Sequence, residues 1–160
     1  MTETSKERTV VFISGNTDMN DKKFMQYYAY QLDQMIKNID NLYINTSDDD
    51  GCDLMVQMLV NKLEIPKENV TIFYMGDKIK NLISNDFAVV GGFTTLEERN
   101  AAMTLSSNMD FHVILEGKGR SAVEANLCRR NSPEYGYMKH WLTGNREFWS
   151  MFNEQSEKND

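Results

Sequence analysis

The sequence is poor in the residues that several protein classes depend on. Only two of its 160 residues are cysteines, Cys52 and Cys128, and neither lies in a C-x-x-C motif or near a histidine. This argues against a zinc site and favours two reduced, partly buried thiols. With 17 basic against 24 acidic residues, the net charge is −7. General nucleic-acid binding is therefore not expected, because it needs a basic face that displaces counterions.

Apolar segments are also short. No run in the sequence is apolar and long enough to cross a bilayer, and the polar first eight residues lack the apolar core of a signal peptide. We therefore expect no membrane partner and a cytoplasmic location.

Several catalytic signatures are missing. The sequence contains no Walker G-x-x-x-x-G-K-[ST], no G-x-G-x-x-G, no G-x-S-x-G and no H-E-x-x-H. An ordinary nucleotide triphosphatase and a standard NAD dehydrogenase are thus not supported. A calcium loop around Gly51 also fails, because Gln57 stands where a bidentate glutamate belongs. His112 lies inside a predicted strand, where we expect packing and not base catalysis. We predict neither a metal nor a cofactor.

Strand and helix patterns alternate along the chain. Short apolar runs predict strands at 9–14, 42–45, 70–74, 87–90 and 111–115. Helical spacing predicts helices at 21–38, 51–63, 95–106 and 121–130. We therefore predict an α/β, Rossmann-like three-layer sandwich with a mainly parallel sheet and a C-terminal helical tail. In the helix 51–63 we expect an inward face of Leu54, Met55, Met58, Leu59 and Leu63.

The predicted domain spans residues 1–131. Apolar residues at helical spacing follow in residues 132–152, which we expect to form a tail that packs on the domain or on a second subunit. Residues 153–160 are expected to be disordered.

Four polar segments follow predicted strands, where ligands bind in a parallel α/β sheet. They are residues 14–18, 47–53, 91–100 and 116–121. In the first, a glycine permits close backbone approach between two hydrogen-bonding side chains. The alternative is a plain strand-to-helix turn with an asparagine cap.

The other three segments offer charge and stacking. Asp53 lies in the first turn of a predicted helix and can hold a ribose hydroxyl or act as an acid or base, whereas capping is the simpler account of Asp48 to Asp50. Phe93 can stack on a base, and Arg99 suits bidentate contact with a phosphate. The alternative for that segment is a tight turn with an exposed ion-pair face. Glycines and basic groups at 116–121 resemble an anion site.

Five segments together carry a family resemblance. "FISGNTDMNDKKFMQYYAYQL", "DDDGCDLMVQMLV", "VTIFYMGD", "GGFTTLEERNAAMTLSSNMDFHVIL" and "GRSAVEANLCRR" occur in that order. They resemble the SLOG superfamily, the Rossmann-like group that includes the LOG cytokinin-activating hydrolases and the nucleotide-binding domain of DprA. A more distant likeness is to the nucleoside 2-deoxyribosyltransferases. The resemblance covers residues 9 to 130.

The resemblance implies a pocket for a nucleotide, nucleoside or ADP-ribose-like ligand, and a homodimer. If the chain is an enzyme, it implies N-glycosidic cleavage with Glu98, or less readily Glu97, stabilising the sugar cation and Asp53 orienting ribose or activating water. The expected ligand-binding residues are Ser14, Gly15, Asn16, Asp18, Gly51, Gly91, Gly92, Phe93, Arg99, Gly119 and Ser121. Two alternatives stay open: a sensor that binds a nucleotide-derived signal without turnover, and a protein-interaction module with a vestigial pocket.

Overall fold

The computed structural model describes residues 8–133, which fold into one parallel sheet with helices on both faces. The strands are β1 (Thr9–Ser14), β2 (Leu42–Ser47), β3 (Val70–Met75), β4 (Ala88–Phe93) and β5 (Met109–His112). The helices are α1 (Asp21–Phe24), α2 (Tyr30–Asn38), α3 (Cys52–Lys62), α4 (Leu96–Leu105) and α5 (Arg120–Arg130). A π-helical turn, Met25–Ala29, joins α1 to α2, and a 3-10 turn, Lys67–Asn69, precedes β3.

The strand order is β4-β3-β2-β1-β5, and every pair is parallel. The chain therefore builds outward from β1 to β4 and then crosses back to place β5 on the other side of β1. This confirms the predicted α/β, Rossmann-like fold. The reversal between β1 and β5 matters for function, because parallel sheets bind ligands beyond the strand ends where the strand order reverses.

The two faces of the sheet carry separate apolar clusters. Phe24, Tyr28 and Leu32 pack from the first helical segment with Val56 and Val60 of α3 on one face. Ala102 and Met103 of α4 pack against Phe12 and Phe73 on the other face, and α5 lies beside α4. The predicted three-layer sandwich is thus present. The predicted tail, 132–152, its disordered end, 153–160, and any contact they make with a second subunit fall almost wholly outside the described residues.

The inward face of helix α3 matches the prediction only in part. Met55 and Leu59 pack against the core as predicted, but Cys52, Val56 and Val60 are the buried apolar residues and Met58 is 45% exposed. The prediction missed the rest of this face because apolarity alone ignores buried polar residues that find partners. Gln57 is fully buried and bonds the segment after β3: its Nε2 donates to Asn81 O at 3.0 Å, and its Oε1 accepts from Ile83 N at 2.9 Å.

The connection from β3 to β4 contains no helix and is held by acidic side chains. Asp48 Oδ2 accepts from Lys80 N at 2.6 Å, and Asp50 accepts from the side chains of Lys80 and Asn81. The expectation that Asp48 and Asp50 cap α3 was therefore wrong, because their oxygens accept hydrogen bonds from this connection instead.

Across residues 8–133, no helix has the length and apolarity that spanning a membrane requires. Both cysteines are free thiols; Cys52 is buried as expected, but Cys128 is exposed.

Candidate functional site

A cavity of about 360 Å³ opens at the carboxyl ends of β1 and β5, where the strand order reverses. The predicted residues that line it are Ser14, Gly15, Asn16, Asp18, Asp53, Arg99 and Gly119. They come from all four polar segments. The sheet brings these segments together because parallel strands end at one edge, and α4 and α5 cover the same face.

Glu98 does not lie among the described residues that line this cavity. Its exposed carboxylate accepts hydrogen bonds from Thr94 N at 3.2 Å and Thr94 Oγ1 at 3.0 Å, while its own N–H donates to Thr95 Oγ1 at 3.1 Å. This reciprocal arrangement caps the start of α4. The predicted placement of Glu98 at the ligand is therefore corrected: its oxygens serve the helix end.

The Gly91-Gly92-Phe93 segment is also remote from the cavity. It ends β4, an edge strand separated from β1 by β3 and β2. The Phe93 ring stacks on Phe73 with centroids 6.2 Å apart and is buried, so it is not available to a base. Gly91 lies against Tyr74, where a Cβ would come within 2.0 Å of the ring. These glycines serve packing within the sheet.

Two more of the predicted ligand-binding residues, Gly51 and Ser121, are not among the described residues that line the cavity. Gly51 precedes α3, and the neighbouring Cys52 N donates to Asn16 O at 3.0 Å. A Cβ at Gly51, whose φ is 74°, would lie 2.4 Å from the Thr17 backbone, so Gly51 allows the start of α3 to approach the loop after β1. Ser121 is exposed in the first turn of α5.

Asp53 is the buried carboxyl group of the cavity wall. It is 3% exposed. Its Oδ2 accepts a hydrogen bond from the Ser47 hydroxyl, whereas Oδ1 has no hydrogen-bond partner within residues 8–133. Burial raises the pKa of Asp53 to about 7, against the opposing effect of the Ser47 hydrogen bond. Protonated and ionised Asp53 are thus both populated near neutral pH.

Arg99 places a buried cation in the same wall. The residue is 6% exposed, and its Nη1 lies 3.2 Å from Asp49 Oδ2 in an ion pair. Its Nη2 donates to Asn100 Oδ1 at 3.2 Å, while Nε and Nη1 have no hydrogen-bond partner in the described chain. Guanidinium N–H groups left without acceptors in a cavity wall favour an anionic ligand.

Helix α5 begins at the cavity with free backbone donors. Its N-cap, Gly119, adopts the left-handed conformation at φ 76° and supplies no side-chain cap. Two turns further, Asn126 is buried in the lining, and its Oδ1 accepts from Arg129 Nη1 at 2.7 Å. The amide NH₂ of Asn126 remains as a donor to a ligand. At the rim, Lys118 pairs with Asp18, which lowers the Asp18 pKa.

Several lining residues were not among the predicted ligand-binding residues, although five of them lie within the four predicted segments. They are Thr17, Asp49, Leu96, Asn100, Val113, Lys118, Ala122, Val123 and Asn126. A signal for some of them exists, because residues three and four apart share a helix face. Leu96 lies three residues before Arg99 and four before Asn100 on α4, and Ala122, Val123 and Asn126 follow Gly119 on α5.

His112 is packed in its strand, as predicted. Its ring meets Phe12 edge-on with centroids 4.8 Å apart. It also reaches the cavity through a polar contact: His112 Nδ1 lies 2.8 Å from Ser14 Oγ. The two residues are register partners on β1 and β5.

Comparison with known proteins finds no matching family model, no similar curated protein and no similar solved structure. The resemblance to the SLOG superfamily therefore stays a prediction from the sequence.

Proposed function

We propose that the cavity binds a nucleotide, nucleoside or ADP-ribose-like ligand and that Asp53 promotes hydrolysis of its N-glycosidic bond. The volume of about 360 Å³ falls in the range of small-molecule sites. One observation carries the proposal: a carboxyl group, buried in the cavity wall, has one oxygen without a partner in the described chain and lies in the same lining as a buried arginine.

The lining offers donors for a phosphate and for polar groups of a nucleoside. A phosphate suits the start of α5, where Gly119 leaves backbone N–H groups uncapped, with Arg99 adding positive charge. Asn16 and Asn126 supply amide groups for sugar hydroxyls or base edges. The cavity therefore has both the charge and the hydrogen-bonding groups that the ligand class requires.

Asp53 supports the chemistry in place of Glu98. Cleavage of an N-glycosidic bond develops positive charge on the sugar, and an ionised carboxylate beside it stabilises that charge. A group with a pKa of about 7 can also take a proton from the attacking water or give one to the departing base near neutral pH. Asp49, in the same lining, is a second carboxylate, held by Arg99.

The test is release of free base. The protein is incubated with nucleotides, deoxynucleotides, nucleosides and NAD, and the products are separated by mass spectrometry. We expect Asp53→Asn to lower base release by about 100-fold or more, because it removes the acid–base group while keeping the shape. Glu98→Gln is the matched control and should retain the wild-type rate, because Glu98 caps α4.

Two results would contradict the hydrolysis. If wild type and Asp53→Asn release base at the same rate, Asp53 takes no part in the reaction. If base release is lost in Glu98→Gln alone, the catalytic carboxylate is Glu98, as predicted from the sequence. Intact ligand that co-purifies with the protein, without base release, favours the sensor. Homodimer formation and a cytoplasmic location remain predictions, since no observation on residues 8–133 tests them.

A further inference from the structure

A buried chain of polar side chains leads from the cavity into the molecule. It begins at Ser14 in the cavity lining, whose Oγ lies 2.8 Å from His112 Nδ1. On the other side of the ring, His112 Nε2 lies 3.5 Å from Asp110 Oδ1. Arg130 of α5 closes the chain with two hydrogen bonds to Asp110, at 2.6 Å and 2.8 Å. A serine, a histidine and an aspartate are thus aligned, with the serine at the cavity.

The charge of Asp110 determines which ring nitrogen of His112 carries the proton. Burial raises the pKa of Asp110, but the hydrogen bonds from Arg130 and the nearby His112 ring, whose Nε2 makes no hydrogen bond within residues 8–133, outweigh it and hold the pKa at about 2. An ionised carboxylate beside Nε2 favours the neutral tautomer that carries its proton on Nε2. Nδ1 is then the acceptor, so the Ser14 hydroxyl donates to it. The remaining lone pairs of Ser14 Oγ are left for a ligand.

In this arrangement Ser14 can act as a nucleophile, His112 as its base and Asp110 as the group that orients the base. We propose that Ser14 is a nucleophile activated by His112, with Asp110 as a positioning residue, and that the cavity hydrolyses a small carboxylic ester. The cavity, of about 360 Å³, accommodates such an ester. The proposal concerns reactivity beyond the N-glycosidic cleavage described above and does not depend on it.

The reaction runs in two balanced steps. First, Ser14 Oγ bonds to the ester carbonyl carbon while its proton passes to His112 Nδ1; the ester C–O bond then breaks, and the departing alkoxide takes that proton and leaves as an alcohol. Second, water attacks the acyl-serine and gives a proton to His112 Nδ1, which returns it to Ser14 Oγ as the carboxylic acid is released. Uncapped backbone N–H groups at the start of α5, in the same cavity, can stabilise the negative oxygen.

A fluorophosphonate probe tests the nucleophile directly. The full chain is treated with the probe, the intact mass is measured, and the modified residue is located by tandem mass spectrometry. We expect one adduct, on Ser14, absent from Ser14→Ala. Ser121→Ala is the matched control and should label like wild type, because Ser121 is exposed on α5 outside the described cavity lining. No adduct on Ser14, or an adduct that persists in Ser14→Ala, overturns the proposal.

Two further variants test the partners of Ser14. His112→Gln should lower the labelling rate by about 100-fold or more, the usual effect of losing a general base. Asp110→Asn should lower kcat for p-nitrophenyl acetate with KM unchanged, since Asp110 does not meet the ester. Circular dichroism checks that each variant is folded. If a variant is not folded, the position of the adduct on the wild-type protein still shows whether Ser14 is the nucleophile. The experiment uses no nucleotide, so its failure and a failure of base release are distinguishable.

Discussion

A carboxyl group that is largely withdrawn from solvent is stable only when it is neutral or well partnered, and Asp53, 3% exposed in the cavity wall, is neither in full. Only Ser47 and the nearby charge of Arg99 favour its ionised form, and burial outweighs both. The residue thus keeps a proton that an exposed aspartate would lose. Asp53 is thus an acid–base group whose burial lowers the free energy of unfolding at pH values where it is ionised.

The cost should appear as a pH-dependent difference between wild type and Asp53→Asn. The folded pKa of about 7 exceeds the ordinary value of 3.8, so the folded state holds an extra proton between about pH 4 and pH 7. The free energy of unfolding contributed by Asp53 therefore falls as pH rises across that window. We expect the asparagine variant to match wild type near pH 4 and to exceed it at pH 8 by on the order of 2–4 kcal/mol.

Urea-induced unfolding at both pH values measures this difference, and titrations common to the two proteins cancel. A constant difference from pH 4 to pH 8 would show that the Asp53 pKa is not raised. A more stable variant at pH 8 also ensures that its loss of base release is not a loss of folding.

At the scale of the element, α4 shows how a helix end determines which side chains reach the site. Thr95 Oγ1 accepts from Glu98 N in the first turn of α4, and the Glu98 carboxylate accepts from Thr94 N just before the helix. Arg99, the next residue, then turns into the cavity wall. Capping therefore assigns two neighbouring charged residues to different tasks. Glu98 supports the helix, and Arg99 lines the cavity.

Loss of the cap should be measurable. Thr95→Ala removes the hydroxyl that accepts from Glu98 N, and we expect the free energy of unfolding to fall by about 1 kcal/mol. Urea-induced unfolding measures it. Ser121→Ala, which removes an exposed hydroxyl from the first turn of another helix, should change stability by less than about 0.5 kcal/mol. Equal effects of the two substitutions would mean that the cap contributes nothing specific.

The whole molecule is organised around β1, which has β2 on one side and β5 on the other. The inner strands β1, β2 and β3 carry fully buried residues such as Val11, Ile44 and Ile72. The outer strands β4 and β5 each pair on one side only within residues 8–133. The strand ends at the cavity thus belong to a central strand, β1, and to β5, which is an edge strand of the sheet within residues 8–133.

Amide hydrogen exchange should reflect this order. We expect the amide hydrogens of β1, β2 and β3 to exchange most slowly, because their exchange requires the largest openings of the structure. Those of β4 and β5 should exchange faster, because an edge strand can separate without disrupting the sheet. Hydrogen exchange followed by mass spectrometry resolves the strands as separate peptides. Exchange in β5 as slow as in β1 would contradict the proposed order of stability.

Local patterns predicted most elements, because strand and helix periods are written in neighbouring residues. β1 has its predicted bounds, and the segment after β3 is without a helix in the structure, in keeping with its lack of a period. The prediction was wrong where partners are distant. β5 ends at His112 and not at Leu115, because its pairing with β1 ends at Ser14. The inward face of α3 depends on Gln57, whose partners Asn81 and Ile83 lie beyond β3.

The fold class and three site residues, Asp53, Arg99 and Gly119, were predictable from the amino-acid order, because residue type and position after a strand are local properties. Which loops share a cavity depended on contacts between distant parts of the chain. Strand order removed Gly91 and Gly92 to the far edge, and the pairing of β1 with β5 brought Ser14 to His112 across 98 residues of chain. Neither result is encoded in neighbouring residues, since strand order arises when the whole sheet assembles.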